Sequence, residues 1–359
     1  MGSGGAQRIL LNVLNELSRS DHEFELFLYN PSESYFLPEV KELGIPINSV
    51  ERHSHGFSIK VLTQLIKTLS NQFDAIFSFQ STANIYCSIA RLASPKTKLV
   101  CCEYTIVNEW SSHDSRLLAN FFNLFSNAVI CNSNTQASYI SSFPGMKKKT
   151  FAIWNGYDLK KFKKRDYSEK SLKKITVIGR ISFAKNGVNF VRGLELYIER
   201  NGRTPSINWV GRRDFDKPAQ EMYEKMVELI SANTLLEENW SWLGEVENIE
   251  GVYHSTDCIV LPSLYEGLPN VLCEAMLYGC PILASNVSDI PKLIGDDERG
   301  ILFDPLSPED ICRAIESFEN KNLHERLAMI ENARIFAFRE FDQKIMLKRY
   351  LDVLDRKSA

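Results

Sequence analysis

The chain has 359 residues, of which 44% are hydrophobic, 24% charged and 11% aromatic. These globular values exclude disorder or a fibre as the main state, and the length suits two domains. No stretch approaches about 18 uncharged apolar residues, which excludes a spanning helix. The opening residues lack the basic and apolar regions of an export signal, so a cytoplasmic protein is expected.

The net charge of −3 is unevenly spread: residues 1–174 carry +6 and the remainder −9. Most of the excess lies in Lys147, Lys148 and Lys149 and in the run from Lys160 to Lys174. Such runs read as a solvated linker, or as attraction to an anionic membrane surface or acceptor. The eight cysteines form no C-x-x-C pair and mostly sit in apolar runs. Buried, reduced thiols are expected, and no zinc site or other metal is indicated.

In chain order, Gly2, Ser3, Gly4 and Gly5 lead into a helix with Ile9, Leu10, Val13, Leu14 and Leu17 on one face. A glycine turn before a helix usually follows a strand. None precedes it here, so the first strand of the N-terminal domain is read as missing; the plainer alternative is a glycine-rich tail. Strands are predicted over 24–30, 73–79, 98–103, 128–132 and 150–154. The amphipathic residues 58–69, with two lysines, read as a sheet-packing helix or as one lying on a membrane. After a charged stretch at 158–174, further strands are predicted over 175–179, 207–211, 240–244, 258–262, 281–285 and 300–303. Helical stretches follow to the end, the last over about 343–354. Several strands are continuous apolar runs, as in parallel sheets buried on both faces. Strands alternating with helices, twice over, predict two α/β domains joined near residue 160.

The most informative segment runs from Cys258 to Ser285 and parses as strand, loop, helix, strand. Pro269 suits the first helical turn and Gly279 its left-handed stop. The helix starts at the C-terminal end of a parallel strand, where ligands bind in open α/β sheets, and its N–H groups make an anion site. Gly267 lets backbone approach a phosphate. Glu266 precedes the helix and Glu274 lies on its second turn. Phosphate would repel both, so each reads as an acceptor for neutral hydroxyls, as on a sugar and a ribose; the plain alternative is two ordinary surface glutamates. In a second segment a strand ends at Gly179, and Arg180 and Lys185 follow. A guanidinium fork and an ammonium there can clamp a diphosphate, unless they are merely solvated.

Together these segments resemble the retaining glycosyltransferases of family four. Its G-R-x4-K segment corresponds to Gly179, Arg180 and Lys185, and its E-x7-E segment to Glu266 and Glu274. Trp209-Val210-Gly211, Trp242-Leu243-Gly244, Leu261 to Asn270 and Asn155-Gly156-Tyr157-Asp158 match in order. Gly4 to Arg8 and Cys131-Asn132-Ser133 match more loosely. The resemblance covers most of the chain. It implies a GT-B α/β fold, two Rossmann-like domains with parallel sheets facing across a cleft. The N-terminal, acceptor-binding domain would span 1–157, with a helix at about 340–359 packing back on it. The nucleotide-sugar domain would span 158–339.

The resemblance also implies roles. Arg180 and Lys185 neutralise the donor diphosphate, Glu266 contacts the donor sugar and Glu274 holds the ribose hydroxyls. Gly179 and the backbone near Gly267, Leu268, Asn270 and Val271 bind donor phosphate or sugar. Gly4 and Gly5 face the diphosphate or acceptor. Where many members carry a histidine or arginine after the fourth strand, this chain has Glu103 and Tyr104, and Tyr104 is left to hydrogen-bond the sugar. His113 is a weaker acceptor-pocket candidate.

The expected function is retaining transfer of a sugar from a UDP- or GDP-sugar to a glycan or lipid-linked acceptor in surface polysaccharide synthesis. The nucleotide sugar is a substrate, and no cofactor is expected. The chain would be cytoplasmic, with peripheral contact to the inner face of the membrane. The alternative is a truncated, inactive nucleotide-sugar or glycan-binding protein. A nicotinamide oxidoreductase lacks its glycine fingerprint, and the basic runs lack the interleaved aromatics of a nucleic-acid binder.

Overall fold

A computed structural model describes residues 5–30, 36–51, 57–104, 121–168, 171–295 and 297–355. The chain divides into two compact units, Met1–Asp158 with Glu340–Ala359, and Leu159–Arg339.

Unit 1 begins with α1 (Gly5–Leu17), β1 (Leu26–Leu28), α2 (Leu37–Glu42) and β2 (Ile47–Ser49). Next come α3 (Ile59–Leu69), β3 (Ala75–Phe79), α4 (Ser81–Ala90) and β4 (Lys98–Glu103). β5 (Ala128–Cys131), α5 (Asn134–Ser141) and β6 (Thr150–Ala152) complete the amino-terminal part. All pairings are parallel, but the strands form two pieces, β1-β2 and β3-β4-β5-β6.

Residues of β4 alternate between two cores. Leu99 and Cys101 pack with Val61, Leu65 and Leu69 of α3 and Tyr86 of α4. Val100 and Cys102 pack with Ile9 and Val13 of α1 and with the last helix of the chain. This is the period of two expected of a strand covered on both faces. Leu65 and Leu69 therefore make α3 a core helix, which sets aside the reading of 58–69 as a membrane-lying helix.

Unit 2 contains β7 (Lys174–Ile178), α6 (Gly187–Asn201), β8 (Ser206–Val210), α7 (Lys217–Ser231), α8 (Thr234–Asn239) and β9 (Trp240–Gly244). It continues with α9 (Ile249–Ser255), β10 (Cys258–Leu261), α10 (Asn270–Tyr278), β11 (Ile282–Ser285) and α11 (Ile290–Ile294). β12 (Ile301–Phe303), α12 (Pro308–Asn320) and α13 (Leu323–Glu340) follow. Its six strands form one parallel sheet in the order β12-β11-β10-β7-β8-β9. The order reverses between β7 and β10, which makes their C-terminal ends the switch point where ligands bind in such sheets. Every residue of β10 and β11 is buried.

The basic run before β7 is only partly a solvated linker. Arg165 is buried with its guanidinium 3.7 Å from Asp257, and the N–H groups of Lys173 and Lys174 donate to the same carboxylate at 2.9 and 2.8 Å. The run thus ties the entry of unit 2 to the start of β10.

The last helix, α14 (Gln343–Asp355), belongs to unit 1. Its buried face is Met346, Leu347, Tyr350 and Val353, with Leu351 and Leu354 packed partly buried against the same core, while Ile345 is exposed. At Gly156 a Cβ would lie 2.5 Å from Gln343 Cα, so the backbones meet there without room for a side chain.

Candidate active site

In unit 2, two loops leave the switch point, one after β7 and one after β10. The first turns sharply at Gly179 (φ +155°), whose N–H donates to Val210 O at 2.8 Å. A Cβ on Gly179 would stand 2.8 Å from Lys185 Cε, so glycine clears the path of the lysine side chain. At Gly211 (φ +140°) a Cβ would fall 2.2 Å from Gly179 O, so this turn needs a second glycine beneath it. Trp209 Nε1 donates to the same carbonyl at 3.0 Å.

Asn186, buried and left-handed (φ +53°), follows Lys185 and starts α6. Its amide donates to Pro262 O at 3.0 Å and Pro305 O at 2.7 Å, while Leu264 N donates to Ala184 O at 2.8 Å. These bonds lock the two loops together and bring Lys185 to Glu266. Lys185 Nζ lies 2.5 Å from Glu266 Oε1, with side-chain exposures of 17% and 13%. Ser263 Oγ donates to the same oxygen at 2.7 Å, and Glu266 N donates to Ser288 Oγ at 3.3 Å.

Arg180 is placed differently. Its side chain is 62% exposed and pairs with Asp214 at 2.9 Å. A solvated pair of this kind is worth about 0–1 kcal/mol, so the guanidinium is free to exchange Asp214 for another anion.

Beyond Glu266, Gly267 and Leu268 are buried, and Pro269 precedes the first residue of α10 rather than opening it. Asn270 and Val271 form the half-exposed first turn, where helix N–H groups project toward an approaching anion. α10 stops at Gly279 (φ +79°). Glu274, one turn in, is buried and accepts from Tyr253 OH at 2.9 Å. Tyr253 is itself stacked on Tyr278 with ring centroids 5.0 Å apart. The candidate site therefore gathers one ammonium, two carboxylates and a helix start near the C-terminal ends of the central strands β7 and β10.

Gly4 and His113 lie outside the described residues, and Gly5 opens α1. Glu103, at the C-terminal end of β4, is 3% exposed. It accepts from Asn84 Nδ2 at 2.7 Å, Ser81 Oγ at 3.0 Å and Asn123 Nδ2 at 3.2 Å. Burial pushes its carboxyl above the usual range, against the opposing pull of these three donors. Tyr104 OH is hydrogen-bonded to Tyr350 OH of α14, and burial raises both phenols.

Sequence reading missed Ser263, Tyr253, Asn186, Ser288 and Asp214 in unit 2, and Asn84 and Asn123 in unit 1. Ser263 and Asn186 adjoin quoted motif residues and were within reach. Tyr253 is 21 positions from Glu274, and no local pattern links them.

The comparisons with known proteins fit this geometry. Residues 158–336 match the family described as glycosyl transferases group 1, and residues 3–161 match glycosyltransferase family 4. The chain belongs to glycosyltransferase family 4. It is 25% identical over 311 residues, 84% of this chain and 82% of the relative, to a Campylobacter jejuni enzyme. That enzyme is the GalNAc-alpha-(1->4)-GalNAc-alpha-(1->3)-diNAcBac-PP-undecaprenol alpha-1,4-N-acetyl-D-galactosaminyltransferase. This chain is also 22% identical over 364 residues to the amylovoran biosynthesis glycosyltransferase AmsD of Erwinia amylovora, covering 98% of this chain and 96% of the relative. Among solved structures, Anabaena HepE in complex with UDP and glucose superposes with a TM-score of 0.83 at 19% identity, over 99% and 96% of the chains. The family-4 chain thus has the GT-B fold and is a glycosyltransferase.

Proposed function

We propose that this glycosyltransferase moves a sugar, with retention at the anomeric carbon, from a nucleotide-diphosphate sugar to a glycan or lipid-linked acceptor in surface polysaccharide synthesis. The observation that carries the reading is the Lys185–Glu266 pair beside the start of α10 at the switch point of unit 2. The acceptor class draws support from the two relatives, one acting on an undecaprenol-linked saccharide and one in amylovoran biosynthesis.

In this reading the anomeric C–O bond to the diphosphate breaks through an oxocarbenium-like transition state. An acceptor hydroxyl forms the new C–O bond on the same face, and its proton passes to the departing diphosphate oxygen. Charge builds on that diphosphate. Lys185 Nζ carries three N–H groups, so it can keep Glu266 and still reach phosphate. Arg180 leaves Asp214 and supplies a planar fork to the same group. The N–H groups of Gly267, Leu268, Asn270 and Val271 add fixed dipoles aimed at the developing charge. Glu266, held by Lys185 and Ser263, accepts from sugar hydroxyls, and Glu274, oriented by Tyr253, accepts from the ribose. Glu103 and Tyr104 stand at the C-terminal end of the unit 1 sheet as shaping residues, since their polar atoms already have partners within unit 1.

Thermal stabilisation by UDP, GDP and ADP, and by their sugars, tests the reading. A ligand at 100 times its Kd adds about 2.7 kcal/mol, a shift of several degrees. Stabilisation by one nucleotide, lost in Arg180→Ala and Glu274→Ala, is expected. Sugar transfer to an undecaprenol-diphosphate saccharide then separates the enzyme from a non-catalytic binding protein, which stabilises but does not turn over.

Unit 1 also carries a surface suited to an anionic membrane. Leu92, Phe121, Leu124 and Phe125 are 75%, 53%, 45% and 45% exposed. They are joined by local bonds: Arg91 donates to Phe125 O at 2.5 Å, and Lys149 Nζ donates to Leu124 O at 2.8 Å. Exposed Lys96, Lys147 and Lys148 belong to the same turns. Apolar side chains among cations are the composition that binds an interface holding a lipid-linked acceptor. Salt-sensitive binding to phosphatidylglycerol vesicles, lost in Phe121→Ser/Phe125→Ser, is expected. Equal binding by wild type and variant would remove this surface from the account.

A further inference from the structure

In unit 2 the loop from Gly211 to Asp216 runs from β8 to α7, beside the loop that carries Arg180. The two backbones are paired. Ile181 N donates to Arg212 O at 2.9 Å, and Asp214 N donates to Ile181 O at 3.0 Å. Ile181 is buried, so the pairing rests on the core. The loop is also tied to α7. The Arg213 guanidinium lies 4.7 Å from the ring centroid of Tyr223, and Asp216 caps the helix by accepting from Ala219 N at 2.9 Å. Asp214 is thus held at its own N–H and on either side of it. Both of its carboxylate oxygens face Arg180 Nη1, at 3.0 and 2.9 Å. Nearby cations are directed elsewhere: Arg213 to Tyr223, Arg212 to Glu245 at 4.0 Å and Lys217 to Glu221 at 3.5 Å.

We propose that Asp214 is a built-in competitor for the donor diphosphate, a fixed carboxylate that holds Arg180 between turnovers and recaptures it as the nucleoside diphosphate leaves. The inference rests on the reading that Arg180 serves the diphosphate, and it adds a positioning residue that acts through Arg180. A guanidinium takes carboxylate and phosphate oxygens in the same planar geometry, so the two anions are alternatives for it. The partners differ in freedom. Arg180 is 62% exposed at the end of a long side chain, whereas Asp214 is 14% exposed on anchored backbone. Exchange therefore moves the arginine and leaves the carboxylate in place. The pair is screened by solvent, so the competition lowers affinity by a small factor and does not block the site. Its consequence is a donor site that binds less tightly than its cations allow and releases product faster.

Titration of the full chain with UDP and with GDP tests this in wild type, Asp214→Asn, Arg180→Ala and the double variant. For the nucleotide that binds, Kd is expected to fall about two- to fivefold in Asp214→Asn, with dissociation slowed in stopped-flow displacement. KM for the nucleotide sugar should fall in parallel while kcat does not rise, because Arg180 has already left Asp214 in the bound complex. The gain should shrink above about 0.5 M salt and disappear in the Arg180→Ala background. Asp214→Ala supplies the same comparison where the asparagine variant melts differently from wild type. Weaker binding by Asp214→Asn would overturn the proposal, because Asp214 would then orient Arg180 toward the phosphate. An equal gain in the Arg180→Ala background would also overturn it, because Asp214 would then act by its charge alone. Nucleotide binding unchanged in Arg180→Ala would remove the donor reading of Arg180, and this proposal with it. Binding weakened in Arg180→Ala but not tightened in Asp214→Asn would remove this proposal alone.

Discussion

The two units use one plan with different degrees of closure. In unit 2 all six strands are hydrogen-bonded side by side, and the switch point between β7 and β10 is walled by paired strands. The loops leaving it are consequently fixed by Asn186, Trp209 and Gly211, and they deliver Lys185 and Glu266 into contact. In unit 1 the equivalent place, between β1 and β3, is an apolar cavity, and the polar groups near its sheet end are consumed by each other. A sheet positions functional side chains only as well as its central strands are held. The unit 2 candidates Lys185 and Glu266 are brought into contact, whereas Glu103 of unit 1 is held in a buried polar cluster.

The largest effect that can break the comparison is at Lys185. In the proposed reading Lys185→Ala removes a cation beside the developing charge, and it leaves the Glu266 carboxylate its bond from Ser263. A fall in kcat of about 10²–10³-fold is expected, measured as sugar transferred per unit time at saturating donor. Loss below tenfold would move the diphosphate elsewhere.

Next is Glu274→Ala, which in the proposed reading strips a charge-assisted acceptor from the ribose and leaves Tyr253 OH without that partner. Nucleotide Kd should rise about 10–100-fold by titration calorimetry. Tyr253→Phe, which only frees the carboxylate to turn, should cost less than tenfold.

The comparison sharpens in calorimetry. Two transitions are expected, with unit 1 melting first, because its sheet is interrupted. Faster amide exchange at Leu99 and Val129 than at Ile259 and Val260 would assign them. One transition with uniform exchange would mean that the cavity costs unit 1 little.

The smallest effect concerns Glu103. Its carboxyl is raised by burial in native unit 1, so the native state holds this proton more tightly than the unfolded chain. Its contribution is fullest below the ordinary carboxylate range and is lost as pH rises through the native value. The unit 1 transition should fall across that window in the wild type and fall less in Glu103→Gln, followed from about pH 4 to pH 8. Parallel slopes would place the titration elsewhere.

Much of the fold is legible in the sequence because the strands are apolar on both faces. β4 and β9 have the bounds predicted, and nine others differ by one or two residues at one or both ends. β2 escaped because Ile47–Ser49 is three residues long behind Pro46, too short for a period to show. Arg180, Lys185, Glu266 and Glu274 were readable because they sit in contiguous motifs. What was not readable is how they are held. Asp214 and Tyr253 reach their partners through the sheet, and Asn84 and Asn123 reach Glu103 across 19 and 20 positions. Such partners come from tertiary packing, which local spacing does not encode.

The central claim is that a nucleotide diphosphate binds at the switch point of unit 2. Hydrogen–deuterium exchange of the full chain, with and without saturating UDP or GDP, tests it most directly. The expected result is protection confined to residues 179–186 and 262–274 with one nucleotide. Protection elsewhere, or none with either nucleotide, would contradict it.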